Sequence, residues 1–121
     1  MGTRGFAAKD RLRFGPQFRE ISRQGARIQT RNFNLLAKRN NLEKSRLGVT
    51  VGKKVGKAVV RNRIKRLARE FFRLHRDGFP EPIDLVVIAK ADPAPEGIRL
   101  RDVKEQLEPG LQRLWPKIQA R

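Results

Sequence analysis

The chain has 121 residues, 38% of them hydrophobic, and carries 29 Lys/Arg against 12 Asp/Glu for a net charge of +17. That length supports one domain with a modest core, and that charge directs its surface toward polyanions. The absence of cysteine excludes a disulfide framework and thiolate metal sites, and no run reaches the roughly 18 apolar residues of a membrane span.

Residues 1–10 have no periodic pattern and read as a flexible basic arm, leaving 11–121 as a single domain. Arg4, Lys9, Asp10, Arg11 and Arg13 interrupt any apolar signal core, so a soluble cytoplasmic protein with no membrane partner is expected. A short helix is predicted over Pro16–Gln24, with Pro16 in its first turn, Phe18 and Ile21 inward, and Gly25 ending it. Strands follow at Ala26–Thr30 and Asn32–Lys38. In the second, Phe33, Leu35 and Ala37 alternate with Asn34, Leu36 and Lys38. The polar turn Arg39–Lys44 predicts a hairpin into a third strand, Arg46–Val51.

The loop Gly52–Gly56 leads into a helix over Lys57–Arg76, which Asp77-Gly78-Phe79-Pro80 terminates. Ile83–Lys90 is an almost unbroken apolar, β-branched run, the pattern of a strand covered on both faces. Leu100, Val103, Leu107, Leu111, Leu114 and Ile118 mark a last amphipathic helix, in which Pro109-Gly110 predicts a kink or a break into two pieces. The order α-β-β-β-α-β-α defines an α+β fold, a two-layer α-β sandwich with helices on a small mixed sheet.

Charge is concentrated along the chain. Residues 1–76 hold 22 basic residues against four acids, a net of +18, while residues 77–121 hold seven against eight, a net of −1, and read as scaffold. The centre of the basic part is Val60–Arg76, where Glu70 is the single acid. At about 100° per residue, Val60, Ile64, Leu67, Phe71 and Leu74 share one stripe. Arg61, Asn62, Lys65, Arg66, Arg69, Arg73 and Arg76 spread over the opposite side, and Arg63 flanks the stripe. Arg61, Lys65, Arg69 and Arg73 recur every four residues as a ridge able to follow phosphates, and Asn62 can bond a sugar, a phosphate or a base edge. Phe72 falls at the border, where it either widens the core contact or stacks on a base.

Catalytic chemistry is thin. A self-sufficient metal nuclease needs clustered carboxylates, and the four acids of the basic part stand isolated. Glu70 lies within reach of Arg66 and Arg73 for an intrahelical ion pair, and the lone His75 reads as a packed or surface side chain. Gly52-Lys53-Lys54-Val55-Gly56-Lys57 is a second basic element without the spacing of a nucleotide-binding P-loop. Phe18 and Phe33 are either core residues or stacking platforms for unpaired bases.

The segment LGVTVGKKVGKAVVRNRIKRLAREFF, residues 47–72, resembles the protein subunit of bacterial ribonuclease P. The likeness extends over about residues 9–118, through Arg11-Leu12, Arg31-Asn32-Phe33, the Asp84–Lys90 strand and Leu114-Trp115. It implies a ribonucleoprotein in which a catalytic RNA, with magnesium held mainly by that RNA, removes the 5′ leader of precursor tRNA. It implies no catalytic residue and no metal in the protein, and no obligate protein partner. By position, the resemblance assigns Arg61, Asn62, Arg63, Lys65, Arg66 and Arg69 to the catalytic RNA, to which the ridge adds Arg73. It assigns Phe18, Phe33, Thr50, Lys53 and Lys54 to a cleft for the single-stranded leader. It also implies a left-handed crossover at the signature helix, against the usual right-handed rule. Ser22 and Leu36 stand where relatives can carry aromatics, so phosphate contacts should weigh more here than stacking. The alternative class is a structural, ribosomal-type RNA-binding protein.

Overall fold

A computed structural model describes residues 11–12, 16–91 and 97–119; the expected basic arm, 1–10, lies outside the described residues. The elements are α1 (Pro16–Gln24), β1 (Ala26–Gln29), β2 (Phe33–Arg39), β3 (Arg46–Thr50), α2 (Ala58–His75), β4 (Ile83–Ala89) and α3 (Leu100–Gln119). Each expected element is present, with ends within a residue or two of the sequence reading.

The pairing differs from the expectation in one respect. The four strands lie in the order β1-β2-β4-β3, so β2 and β3 do not form a hairpin. β4 sits between them, antiparallel to β2 (Leu35 opposite Val87) and parallel to β3 (Val49 opposite Val87). The true hairpin is β1–β2, with Ile28 opposite Leu35. The reason is burial: β4 is the strand with apolar residues on both sides, and an interior position covers both of its faces and both of its edges. The connection at 40–45 spans the width of β4 and is tied to it. Asn40 N–H donates to the Pro82 carbonyl, and Ile83 N–H donates to Ser45 Oγ at 3.0 Å.

Helices cover both faces. α2 and α3 pack on Ala26, Ile28, Phe33, Leu35, Leu47, Leu85 and Val87, while α1 covers the other face through Ile21 on Leu36 and Val86, with Leu12 beside them. Leu47 turns its side chain into the α2 side, and its carbonyl accepts the Leu12 N–H at 2.9 Å on the outer edge of β3. In an extended strand of L-residues running away from the viewer, a residue whose side chain points up aims its carbonyl to the right. Seen from α2, β4 therefore lies to the left of β3, and the β3–α2–β4 crossover is left-handed, the rare hand.

α3 is one helix, not two pieces, with Pro109 and Pro116 inside it. Both prolines lie on the exposed side, where water can take the carbonyls they leave unbonded. The opposite side buries Val103, Leu107, Leu111, Leu114 and Ile118, which holds the helix onto the sheet. Gly110 is the point of closest approach: a Cβ there would stand 3.0 Å from Leu35 Cδ1 and 3.1 Å from Ile28 Cδ1.

Candidate RNA interface

The seating of α2 decides which of its cations face outward. Ile64, Ala68, Phe71 and Phe72 are buried, Val60 and Leu67 are partly buried, and Leu74 is exposed at 38%. The buried stripe is thus turned from Leu74 toward Phe72, because α3 packs on that side. Phe72 is a core residue, fully buried with its ring 5.9 Å from Phe79 in an edge-on contact, and is unavailable to a base.

Outward on α2, Asn62, Arg63 and Arg66 are exposed, while Arg61, Lys65 and Arg69 are half-buried along the side next to β3. Arg61, Arg63, Lys65 and Arg66 have no ion pair with the described residues. Four of the described acids are engaged elsewhere. Glu20 pairs with Lys38, Glu81 with Arg39, Asp84 with Arg46, and Glu108 with His75. Glu70 takes Arg73 through both oxygens, at 2.5 and 3.3 Å, so Arg73 is the least free of the predicted ridge. Partial burial, and then the charge of Arg11, pull Arg69 below the ordinary guanidinium value, which leaves it a cation at neutral pH. That coupling places Arg11, a residue the sequence reading did not assign to the site, beside the ridge.

The N-terminal end of α2 adds to the positive field. Its first turn contains no acid, and Lys57 precedes it without a side-chain cap. Just before it, Lys53 and Lys54 are exposed on a 3-10 turn anchored by buried Val55. The helix dipole and four cations (Lys53, Lys54, Lys57, Arg61) therefore act in the same direction.

Across the β3 edge is the α1 side of the sheet. There Asn34, Ile88 and Thr50 form one row by register, half-buried, with partly buried Phe18 over the adjoining row of Leu36 and Val86. Among the described residues Thr50 Oγ1 and Asn34 Oδ1 have no hydrogen-bond partner, an arrangement that invites a polar ligand. Of the expected cleft residues, Phe18 and Thr50 lie on this side of the sheet, with Lys53 and Lys54 following Thr50 in the chain. Phe33 does not. Its side chain is fully buried in the core under α3, on the opposite face of the sheet. The alternation in β2 already separated Phe33 from Asn34, and that signal would have selected Asn34 instead.

His75 is structural. It stacks on Phe71 at 4.1 Å, with Nδ1 2.9 Å from the Phe71 carbonyl and Nε2 2.6 Å from Glu108, tying α2 to α3. Among the described residues no three His, Asp or Glu side chains converge to hold a metal ion, and no helix is long and apolar enough to cross a membrane.

Fold and site together define a small basic α+β protein built to bind RNA. A family model described as Ribonuclease P matches residues 6–117. The ribonuclease P protein component of Dictyoglomus thermophilum is 38% identical over 120 residues, covering 99% of this chain and 97% of that one. That of Syntrophus aciditrophicus is 47% identical over 83 residues, covering 69% and 70%. Among solved structures, the Staphylococcus aureus RNase P protein superposes with a TM-score of 0.76 at 33% identity, covering 85% of this chain and 93% of that one. The Thermotoga maritima protein gives 0.73 at 36%, covering 86% and 94%. The chain belongs to the bacterial ribonuclease P protein family and serves tRNA 5′ maturation as a component of that ribonucleoprotein. The ribosomal-type alternative is not favoured.

Proposed function

We propose that α2 docks this protein onto the catalytic RNA of ribonuclease P while the α1-side groove holds the 5′ leader of precursor tRNA. The observation that carries this reading is the set of Arg61, Arg63, Lys65 and Arg66, exposed or half-buried and without ion pairs among the described residues, while Glu70, the single acid of α2, is committed to Arg73. Such a face gains by neutralising phosphates and releasing their counterions. Asn62, Arg69 and Arg73 extend it. In the groove, Phe18 supplies an apolar surface, and Thr50 with Lys53 and Lys54 supplies polar and cationic contacts.

The endoribonuclease chemistry belongs to the RNA in this reading. Magnesium, in this reading, would be held mainly by the RNA, whose phosphates supply the oxygen ligands it prefers. What the protein contributes is position: it holds leader and catalytic RNA together and lowers the repulsion between them.

Reconstitution tests the proposal. A bacterial ribonuclease P RNA at low magnesium should cleave precursor tRNA faster when this protein is added, and no enhancement would overturn the reading. Comparing substrates with and without a leader separates groove binding from docking.

A further inference from the structure

We propose a second phosphate-binding rail on the β1 edge of the sheet, formed by Arg27, Arg113 and Lys117, which takes the part of the leader that has passed beyond the groove. This rests on the leader-groove reading above.

β1 is an outer strand, so its outward carbonyls face no further strand. Two of them are met by α3: Arg113 Nη2 donates to the Gln29 carbonyl at 3.0 Å, and Lys117 Nζ donates to the Arg27 carbonyl at 3.2 Å. The match is geometric. Residues four apart on a helix advance about 6 Å, and residues two apart on a strand about 6.8 Å. Arg27 itself points to the α1 side, where its Nη2 donates to the Ser22 carbonyl at 2.9 Å. These bonds hold three cations along the β1 edge while all three stay exposed. A guanidinium has five N–H donors and an ammonium three, so each keeps donors for phosphate.

Guarding an edge strand against mispairing would explain the carbonyl contacts alone. It does not explain the surrounding composition. No acid occurs between Glu20 and Glu43, or anywhere after Glu108. The two segments that build this edge are therefore purely cationic, although residues 77–121 as a whole are almost neutral. The groove also leads here: its row Thr50–Ile88–Asn34 continues by register to Gln29 on β1, whose carbonyl Arg113 holds. Three strand spacings of about 4.8 Å make this track about 14 Å long. A leader entering beside α2 leaves at the rail.

The test uses the reconstituted holoenzyme with precursor tRNAs carrying a short or a long leader. The double variant Arg113→Gln/Lys117→Gln removes both charges, and its amides can still donate to the β1 carbonyls, so thermal unfolding reports whether the edge stays intact. The expected result is that the affinity gained from the long leader shrinks, with the salt slope of long-leader binding lower by about 0.7 per lost phosphate contact, about 1.4 for the pair. An unchanged slope and unchanged long-leader gain, with wild-type binding still leader-dependent, would reduce the rail to an edge guard and overturn the proposal. A loss seen with the catalytic RNA alone would overturn it too, since the rail would then serve that RNA. If the wild-type holoenzyme gains nothing from any leader, the groove reading itself fails.

Discussion

Arg46 grips both carboxylate oxygens of Asp84, Nε on Oδ1 at 2.9 Å and Nη2 on Oδ2 at 2.7 Å, across the parallel β3–β4 pair. Asn40 Nδ2 adds a third bond to Oδ1 at 3.0 Å, so one buried carboxylate joins β3, β4 and the connection that strides over them. The hydrogen bond to Asp84 outweighs burial and raises the Arg46 pKa. Asp84→Asn would leave a half-buried guanidinium without its counter-charge. A loss of about 3 kcal/mol is expected, at the low end for a broken buried pair because Arg46 keeps some contact with water. Urea unfolding should show a lower midpoint at unchanged slope, with the salt dependence of RNA binding unaltered.

The α2 face makes a quantitative prediction about salt. If Arg61 and Lys65 each meet a phosphate, Arg61→Ala and Lys65→Ala should each lower the slope of log affinity against log salt by roughly 0.7–0.9. Filter binding to the catalytic RNA over a salt series measures this. An unchanged slope in both proteins would remove the ridge from the interface.

Glu70 tempers that face by occupying Arg73. Its hydrogen bonds to Arg73 hold the carboxyl below its ordinary value of 4.5, outweighing the opposing effect of burial. A depressed folded-state pKa means stability that is fully present above the unfolded value and lost as pH falls through the folded one. Wild type should therefore lose a small increment below about pH 4.5 that Glu70→Gln lacks from the start, small because the pair is largely solvated. At neutral pH, Glu70→Gln frees Arg73, and binding to the catalytic RNA should tighten and steepen in salt. Acid titration of unfolding and a salt series read the two effects separately.

Phe18 and Phe33 separate groove from core. Phe33→Ala empties a fully buried site and should cost about 3–5 kcal/mol. Phe18→Ala, at a partly buried position, should cost less and weaken leader-bearing substrates selectively. Equal weakening of substrates with and without a leader would make Phe18 a packing residue only.

Gly25, at the bend from α1 into β1, leaves no room for a side chain. A Cβ there would stand 2.5 Å from the Ile21 carbonyl oxygen and 2.9 Å from that of Ala37, both backbone atoms that cannot swing aside. Gly25→Ala should lower stability by about 1–3 kcal/mol or more, read as a drop in thermal midpoint, by forcing α1 off the sheet.

Much of this molecule is legible along the chain because it follows from local periodicity. The stripe from Val60 to Phe71 predicts α2, the apolar run Ile83–Lys90 predicts a doubly covered strand, and Gly25 marks the end of α1. The errors arise where a distant segment intervenes. A polar turn between β2 and β3 reads as a hairpin because nothing local reports that β4 will enter between them. Pro109-Gly110 reads as a kink or a break into two pieces, and the break does not occur because the glycine faces Ile28 and Leu35 while the proline faces water. Phe33, left open between core and base stacking and assigned to the cleft only by resemblance, is decided by which face of the sheet is covered by α3.

The sequence by itself determined the charge, the elements and the absence of clustered acids, since composition and periodicity are properties of neighbours in the chain. Only the tertiary structure decided which cations are free to meet RNA. Ion pairs such as Arg46–Asp84, the burial of Phe72, the left-handed crossover and the cationic rim of β1 all join residues distant in sequence, and pairing and burial are set by where the chain returns.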